Sequence, residues 1–126
     1  MDSGAACHDD VRRLKNTSLW REACYIGGRW IPVSGPSISV DNPATGEILG
    51  RVPKLGQTET SEAIAAADAA LPAWRTMTAK DRAVRLRRWF DLVMANQDDL
   101  ARLMTLEQGK PLAESRGEVA YGAAFI

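Results

Sequence analysis

The hydrophobic period of this chain changes near Thr58. Before that point apolar residues alternate in short runs broken by Gly and Pro; after it they recur every third or fourth position. A period of two belongs to half-buried strands and one of 3.6 to helices, so β-ribbons followed by helices are the architecture this pattern allows.

In "CYIGGRWIPV" the pairs Tyr25-Ile26 and Arg29-Trp30 flank Gly27-Gly28, which readily take the positive φ angles of a tight hairpin turn. "SISVDNPATGEILGRVP" repeats the scheme on a larger scale. Ile38 and Val40 alternate, Asn42 to Gly46 supply turn residues, and Ile48 to Val52 is β-prone. Two short antiparallel ribbons are therefore expected.

Thr58 is the expected N-cap of a first helix, with Ile64, Ala67, Ala70 and Leu71 along one face and Pro72 closing or kinking its end. Thr78 followed by Asp81 resembles a capping box for a second helix, whose stripe is Ala83, Leu86, Phe90, Val93 and Met94. Asn96 is expected to cap a third, in which Leu100, Leu103 and Met104 share a face and Gln97, Asp98 and Asp99 place negative charge at the positive end of the dipole. Gly109 is placed just past its C-terminus, and Pro111 opens a fourth helix carrying Leu112, Val119 and Ala123. That helix has no stop signal in "YGAAFI" and is expected to be still running at Ile126.

Sixteen basic residues balance 16 acidic ones, which gives no preference for nucleic acid or a membrane surface. No apolar run reaches the roughly 18 residues needed to span a bilayer, and "MDSGAACHDD" reads as neither a secretory leader nor a transit peptide. A cytoplasmic, reduced chain is expected, with no disulfide between Cys7 and Cys24. Residues 1 to about 15 carry few large apolar side chains and are read as a flexible tail, and 16–126 as the folded part. "NTSLWREA" then allows one helical turn capped by Asn16 or Ser18, with Leu19 and Trp20 as an apolar anchor.

Several residue groups invite a chemical reading. In "TLEQGKPLAE" the pair Gly109-Lys110 looks like the mouth of a phosphate loop, but a Walker A motif requires a Gly where Met104 stands and a Ser or Thr where Pro111 stands. Punctuation between two helices, with Lys110 exposed in the link, is the better account. "IGGRW" lacks the third glycine and following helix of a dinucleotide fingerprint. Cys7, His8, Asp9 and Asp10 form a metal-like cluster in the tail, without the paired spacings of a structural site. Cys24 has no base beside it in sequence and is read as a small strand residue rather than a nucleophile. Arg82, Arg85, Arg87 and Arg88 beside Trp89 could contact a nucleic acid, yet Asp81 and Asp91 are interspersed, and a solvated helix face explains them. Trp20, Trp30, Trp74 and Trp89 are read as packing anchors.

On residues alone the chain is an α+β protein of two ribbons and about four helices. The combined phrases "VDNPATGEILGRVP", "AIAAADAALPAWRTMTAKDRA" and "NQDDLARLMTLEQGKPLAE" closely resemble the N-terminal part of the aldehyde dehydrogenase superfamily, from about Leu14 to Ile126. Within it they are most similar to the bacterial succinate-semialdehyde dehydrogenases. The resemblance implies an α/β enzyme in which this segment is the edge of a Rossmann-like cofactor-binding domain. It implies NAD(P)-dependent oxidation of a small aldehyde to a carboxylate, through a cysteine nucleophile and a water-activating glutamate, in a homo-oligomer.

The family's nucleophile stands in a Gly-Gln-x-Cys context, its base in Glu-Leu-Gly-Gly, and its cofactor contacts in Pro-Trp-Asn and Phe-Thr-Gly-Ser. None of these contexts occurs in the 126 residues. No catalytic, cofactor-binding or metal residue is therefore carried over onto this sequence. The expectation is an N-terminal fragment, inactive alone and binding neither NAD nor NADP. The competing expectation is a helical interaction module that docks on other aldehyde dehydrogenase subunits through an exposed stripe of Leu100, Leu103, Met104 and Leu112.

Overall fold

The computed structural model describes residues 13–126. A 3-10 turn, Thr17–Leu19, is followed by strands β1 (Ala23–Ile26), β2 (Arg29–Pro32), β3 (Ser37–Asp41) and β4 (Ile48–Pro53). Four helices follow: α1 (Gln57–Thr76), α2 (Ala79–Ala95), α3 (Gln97–Gln108) and α4 (Leu112–Ala123). The α+β fold and its order are those the periodicity predicts.

Both ribbons are antiparallel pairs, β1 with β2 and β3 with β4. Gly27 and Gly28 turn the first at φ 56° and 79°, angles that a residue with a Cβ rarely takes. In the second, Val40 faces Gly50 and Asp41 faces Ile48, so Leu49 is an extra residue that bulges out of register. The bulge breaks strict alternation and lets Leu49, 7% exposed, enter the core. The ribbons are tied together by Arg51 N donating to Glu22 Oε1 at 2.7 Å, with Cys24 Sγ 4.0 Å from Pro53 O.

The first helix begins two residues earlier than an N-cap at Thr58 predicts. Gly56 is its cap, and the Glu59 carboxylate reaches back to accept from Gly56 N at 2.9 Å. This backbone N–H, and Glu59's own, hold the Glu59 carboxyl below its ordinary pKa. Pro72 neither closes nor ends α1, which continues to Thr76. The half-buried positions of α1 are Glu59, Ala63 and Ala66, the last against the Gly27 turn, whereas Ile64, Ala67, Ala70 and Leu71 are exposed, the reverse of the predicted face.

Thr78 caps α2 as expected, accepting from Asp81 N and bonding the Asp81 carboxylate at 2.6 Å. Leu86, Phe90, Val93 and Met94 of the predicted stripe are half-buried, and Ala83 is exposed. Asn96 stands between α2 and α3, but its side chain serves the outgoing helix: Nδ2 donates to Leu92 O at 2.8 Å, and Oδ1 accepts from Asn16. No oxygen is left to cap α3, whose first turn carries Asp98 and Asp99 instead. Helix α4 ends at Ala123 and passes into a turn in which Phe125 N donates to Gly122 O, rather than running to Ile126.

The tightest packing lies between α3 and α4, where Ala101, Ser115, Val119 and Ala123 are buried. Leu14 joins this core at 4% exposure. Residues 14 and 15, placed in the tail by the sequence reading, are held here: Leu14 is buried and Lys15 N donates to Asp99.

Candidate functional site

The link between α3 and α4 tests the Gly109-Lys110 reading directly. Gly109 takes φ 73° and donates to Thr105 O at 2.9 Å, ending α3 in the left-handed conformation. A Cβ there would lie 2.9 Å from Pro43 Cγ, so the turn of the second ribbon presses on the link from outside. Lys110 is not exposed as expected: it folds back onto α4, pairs with Glu118, and keeps 23% of its side chain accessible. Beneath the link the hydroxyls of Thr105 and Ser115 are 2.9 Å apart, with Ser115 fully buried. The ammonium is committed to a carboxylate and the glycine to a ribbon, so this is a packed joint.

Asp98 and Asp99 are neighbours with separate tasks. Asp99, 5% exposed, accepts from the backbone N–H groups of Lys15 at 3.1 Å and Asn16 at 2.8 Å. Asp98 accepts from Arg116 Nε at 2.9 Å and lies 3.7 Å from Lys15 Nζ. The Arg116 guanidinium holds the Asp98 carboxyl below its ordinary pKa, with a smaller contribution from Lys15. Both carboxylates are engaged in joining α3 to the N-terminal segment and to α4, which leaves neither as an acid-base partner of the other.

A cavity of about 310 Å³ opens between the 3-10 turn, the ribbons and α3, lined by Trp20, Trp30, Arg51, Leu103 and Glu107 among others. Arg21 lies over the Trp30 ring at 5.0 Å. Loss of water on the cavity side raises the Glu107 carboxyl above its ordinary pKa, although much of the residue still meets solvent. Sequence reasoning missed Glu107 and the long-range role of Asp99. Only assembly of the N-terminal segment against α3 creates either environment.

Cys24 is half-buried in β1 with a free thiol. Cys7, His8, Asp9 and Asp10 lie outside the described residues, among which no group of three or more His, Cys, Asp or Glu could hold a metal ion. On α2, Arg85, Arg87 and Arg88 are exposed, Arg82 is half-buried, and Arg87 lies 5.0 Å over Phe90, as a solvated helix face requires. Trp20 alone of the four tryptophans is half-buried. Trp30, Trp74 and Trp89 are 49%, 37% and 57% exposed, so they do not act as internal anchors in this chain.

Two antiparallel ribbons and four helices, with α3 and α4 packed about the "QGKP" turn, make up the described residues. The aldehyde dehydrogenase family model matches residues 30–126. The chain belongs to the aldehyde dehydrogenase family. It is 62% identical over 115 residues to a glutarate-semialdehyde dehydrogenase of Pseudomonas aeruginosa, covering 90% of this chain and 24% of that protein. It is 57% identical over 115 residues to the NADP(+)-dependent succinate-semialdehyde dehydrogenase of Escherichia coli, with the same coverage. The crystal structure of an E. coli NADP-dependent enzyme superposes with a TM-score of 0.87 at 57% identity, over 90% of this chain and 24% of that one. That of a Burkholderia pseudomallei succinate-semialdehyde dehydrogenase gives 0.86 at 57% identity, with the same coverage. The chain thus spans about a quarter of the length of the relatives it matches.

Proposed function

We propose that this chain supplies the N-terminal strand-and-helix layer of a cytoplasmic NAD(P)-dependent dehydrogenase that oxidises a short dicarboxylic semialdehyde to the diacid. The observation that carries this reading is the identity of 62% and 57% to dehydrogenases named for glutarate and succinate semialdehyde. Those two substrates differ by one methylene, a difference worth only about 1–3 kcal/mol in an apolar pocket, so one substrate class covers both.

The oxidation needs a thiolate to add to the aldehyde, a dinucleotide to accept hydride, and a base to direct water at the acyl group. By the family's motifs, none of those groups belongs to residues 1–126. The layer's contribution is to buttress the cofactor-binding domain, and alone it is inactive and binds no dinucleotide. The competing reading, a helical module docking on other subunits, relies on an exposed stripe at Leu100, Leu103, Met104 and Leu112. All four are half-buried, so the stripe offers less open surface than that reading expects.

The test is a fusion in which this chain replaces the corresponding segment of the P. aeruginosa enzyme, assayed by NAD(P)H absorbance with glutarate and succinate semialdehyde. The fusion should turn over both substrates, and the chain alone neither. A folded fusion with no activity sinks the proposal, and turnover by the chain alone sinks its inactivity.

A further inference from the structure

Between Leu14 and Glu22 the chain crosses from the start of α3 to the second ribbon without joining either sheet, and its one regular element is the turn Thr17–Leu19. A 3-10 turn of three residues has poor hydrogen-bond geometry and little stability of its own, so its attachments hold it in place. At one end Leu14 is buried, and Asp99 accepts from the backbone N–H groups of Lys15 and Asn16. Asn16 Nδ2 adds a bond to Asn96 Oδ1 at 3.2 Å. At the other end Glu22 Oε1 accepts from Arg51 N, and the Trp20 ring lies so near Gly50 that a Cβ there would be 2.6 Å from it.

The middle is held mainly by itself. Asn16 Oδ1 accepts from Ser18 N at 3.2 Å and Ser18 Oγ at 2.6 Å, while Leu19 N donates to Asn16 O and Trp20 N to Thr17 O, both at 3.2 Å. Thr17 and Ser18 are exposed. Beneath lies the cavity of about 310 Å³, with Leu19 and Trp20 on one side and Val52, Leu103 and Glu107 on the other. The stretch therefore bridges a void, and on that side it lacks the close-packed neighbours that resist movement. Local opening as a cooperative unit occurs where few apolar contacts cross to the rest of the fold.

We propose that residues 14–19 form a strap that opens and shuts over this cavity as one unit, latched by the Asp99 carboxylate and turning about Trp20, which stays wedged on Gly50. Opening breaks both backbone bonds to Asp99 and lifts Leu14 from its seat, while the Glu22 bond to Arg51 persists. The released turn has no remaining support, so its bonds at Leu19 and Trp20 are lost in the same step. With Leu19 withdrawn, water enters along Leu103 and Glu107. Asp99 thus governs the protection of amides it does not touch, which a fraying end, opening residue by residue, would not show.

The test is hydrogen exchange read residue by residue by mass spectrometry, on the fusion of this chain with the remainder of the P. aeruginosa enzyme, whether or not that fusion is active. The amides of Lys15, Asn16, Leu19 and Trp20 should share one protection factor, at least tenfold below that of Val119 in α4 and with a weaker urea dependence. Asp99→Asn keeps the shape of the latch but sets an NH2 group where a backbone N–H needs an acceptor. It should lower protection of all four amides at least tenfold and leave Arg51 and Val119 unchanged. Leu14→Ala, with the carboxylate intact, should lower the same four together. Leu19 and Trp20 unprotected in the parent, or unmoved by either variant, would mean independent fraying and overturn the strap. So would four amides with the protection and urea dependence of Val119, a result readable on the parent even where a variant fails to fold.

Discussion

Gly109 is constrained twice, by its φ of 73° and by Pro43. Gly109→Ala should lower stability by at least about 1–2 kcal/mol, the cost of a left-handed L-residue, read as a lower urea midpoint at constant slope. Two carboxylates should give opposite pH signatures. The Glu59 pKa is depressed by the Gly56 N–H, so its contribution is present above the unfolded carboxylate pKa and lost as pH falls through the folded value. Glu59→Ala should therefore lower the melting temperature at about pH 7 and converge with the parent at about pH 2. The Glu107 pKa is raised by desolvation, so the folded state holds the proton more tightly and stability falls as pH rises through that window. Glu107→Gln should raise the melting temperature at about pH 7 and leave it unchanged at about pH 3. Gly109 was legible from sequence because a helix C-terminus has a local signature. Glu107 and Asp99 were not, because their surroundings are assembled from segments more than 50 residues away.

Among the elements, Pro72 stands inside α1 with four helical residues after it, exposed, and without an N–H for the Asp68 carbonyl. Pro72→Ala removes no packing and should raise the stability of α1 by roughly 1–3 kcal/mol, visible as added helical signal and a higher melting temperature. Helix existence and order were readable because hydrophobic period and cap residues are local properties. The buried face of α1 was misread for a physical reason. Periodicity marks the face rich in large apolar groups, Ile64 and Leu71, whereas the neighbour actually present is the Gly27 turn, which only alanines approach closely. The Leu49 bulge was equally hidden, since one extra residue in a strand leaves no mark in composition.

For the whole molecule, five apolar residues are buried among those described, and two of the four helices bury none. Isolated chain should unfold with less than about 5 kcal/mol, the low end for native domains, in equilibrium urea titration; a cooperative transition above that would contradict the bare-helix account. The grip of Asp99 on Lys15 and Asn16 also sets an order of events. It closes a loop of 84 residues, at an entropic cost of about 4 kcal/mol, which two hydrogen bonds to a carboxylate, at roughly 1.5–3 kcal/mol each, are just able to offset. During synthesis at about 5–20 residues per second, the segment around Leu14 leaves the ribosome roughly 4–17 s before Asp99 follows it. The segment around Leu14 therefore waits unfastened until a partner made 84 residues later reaches it.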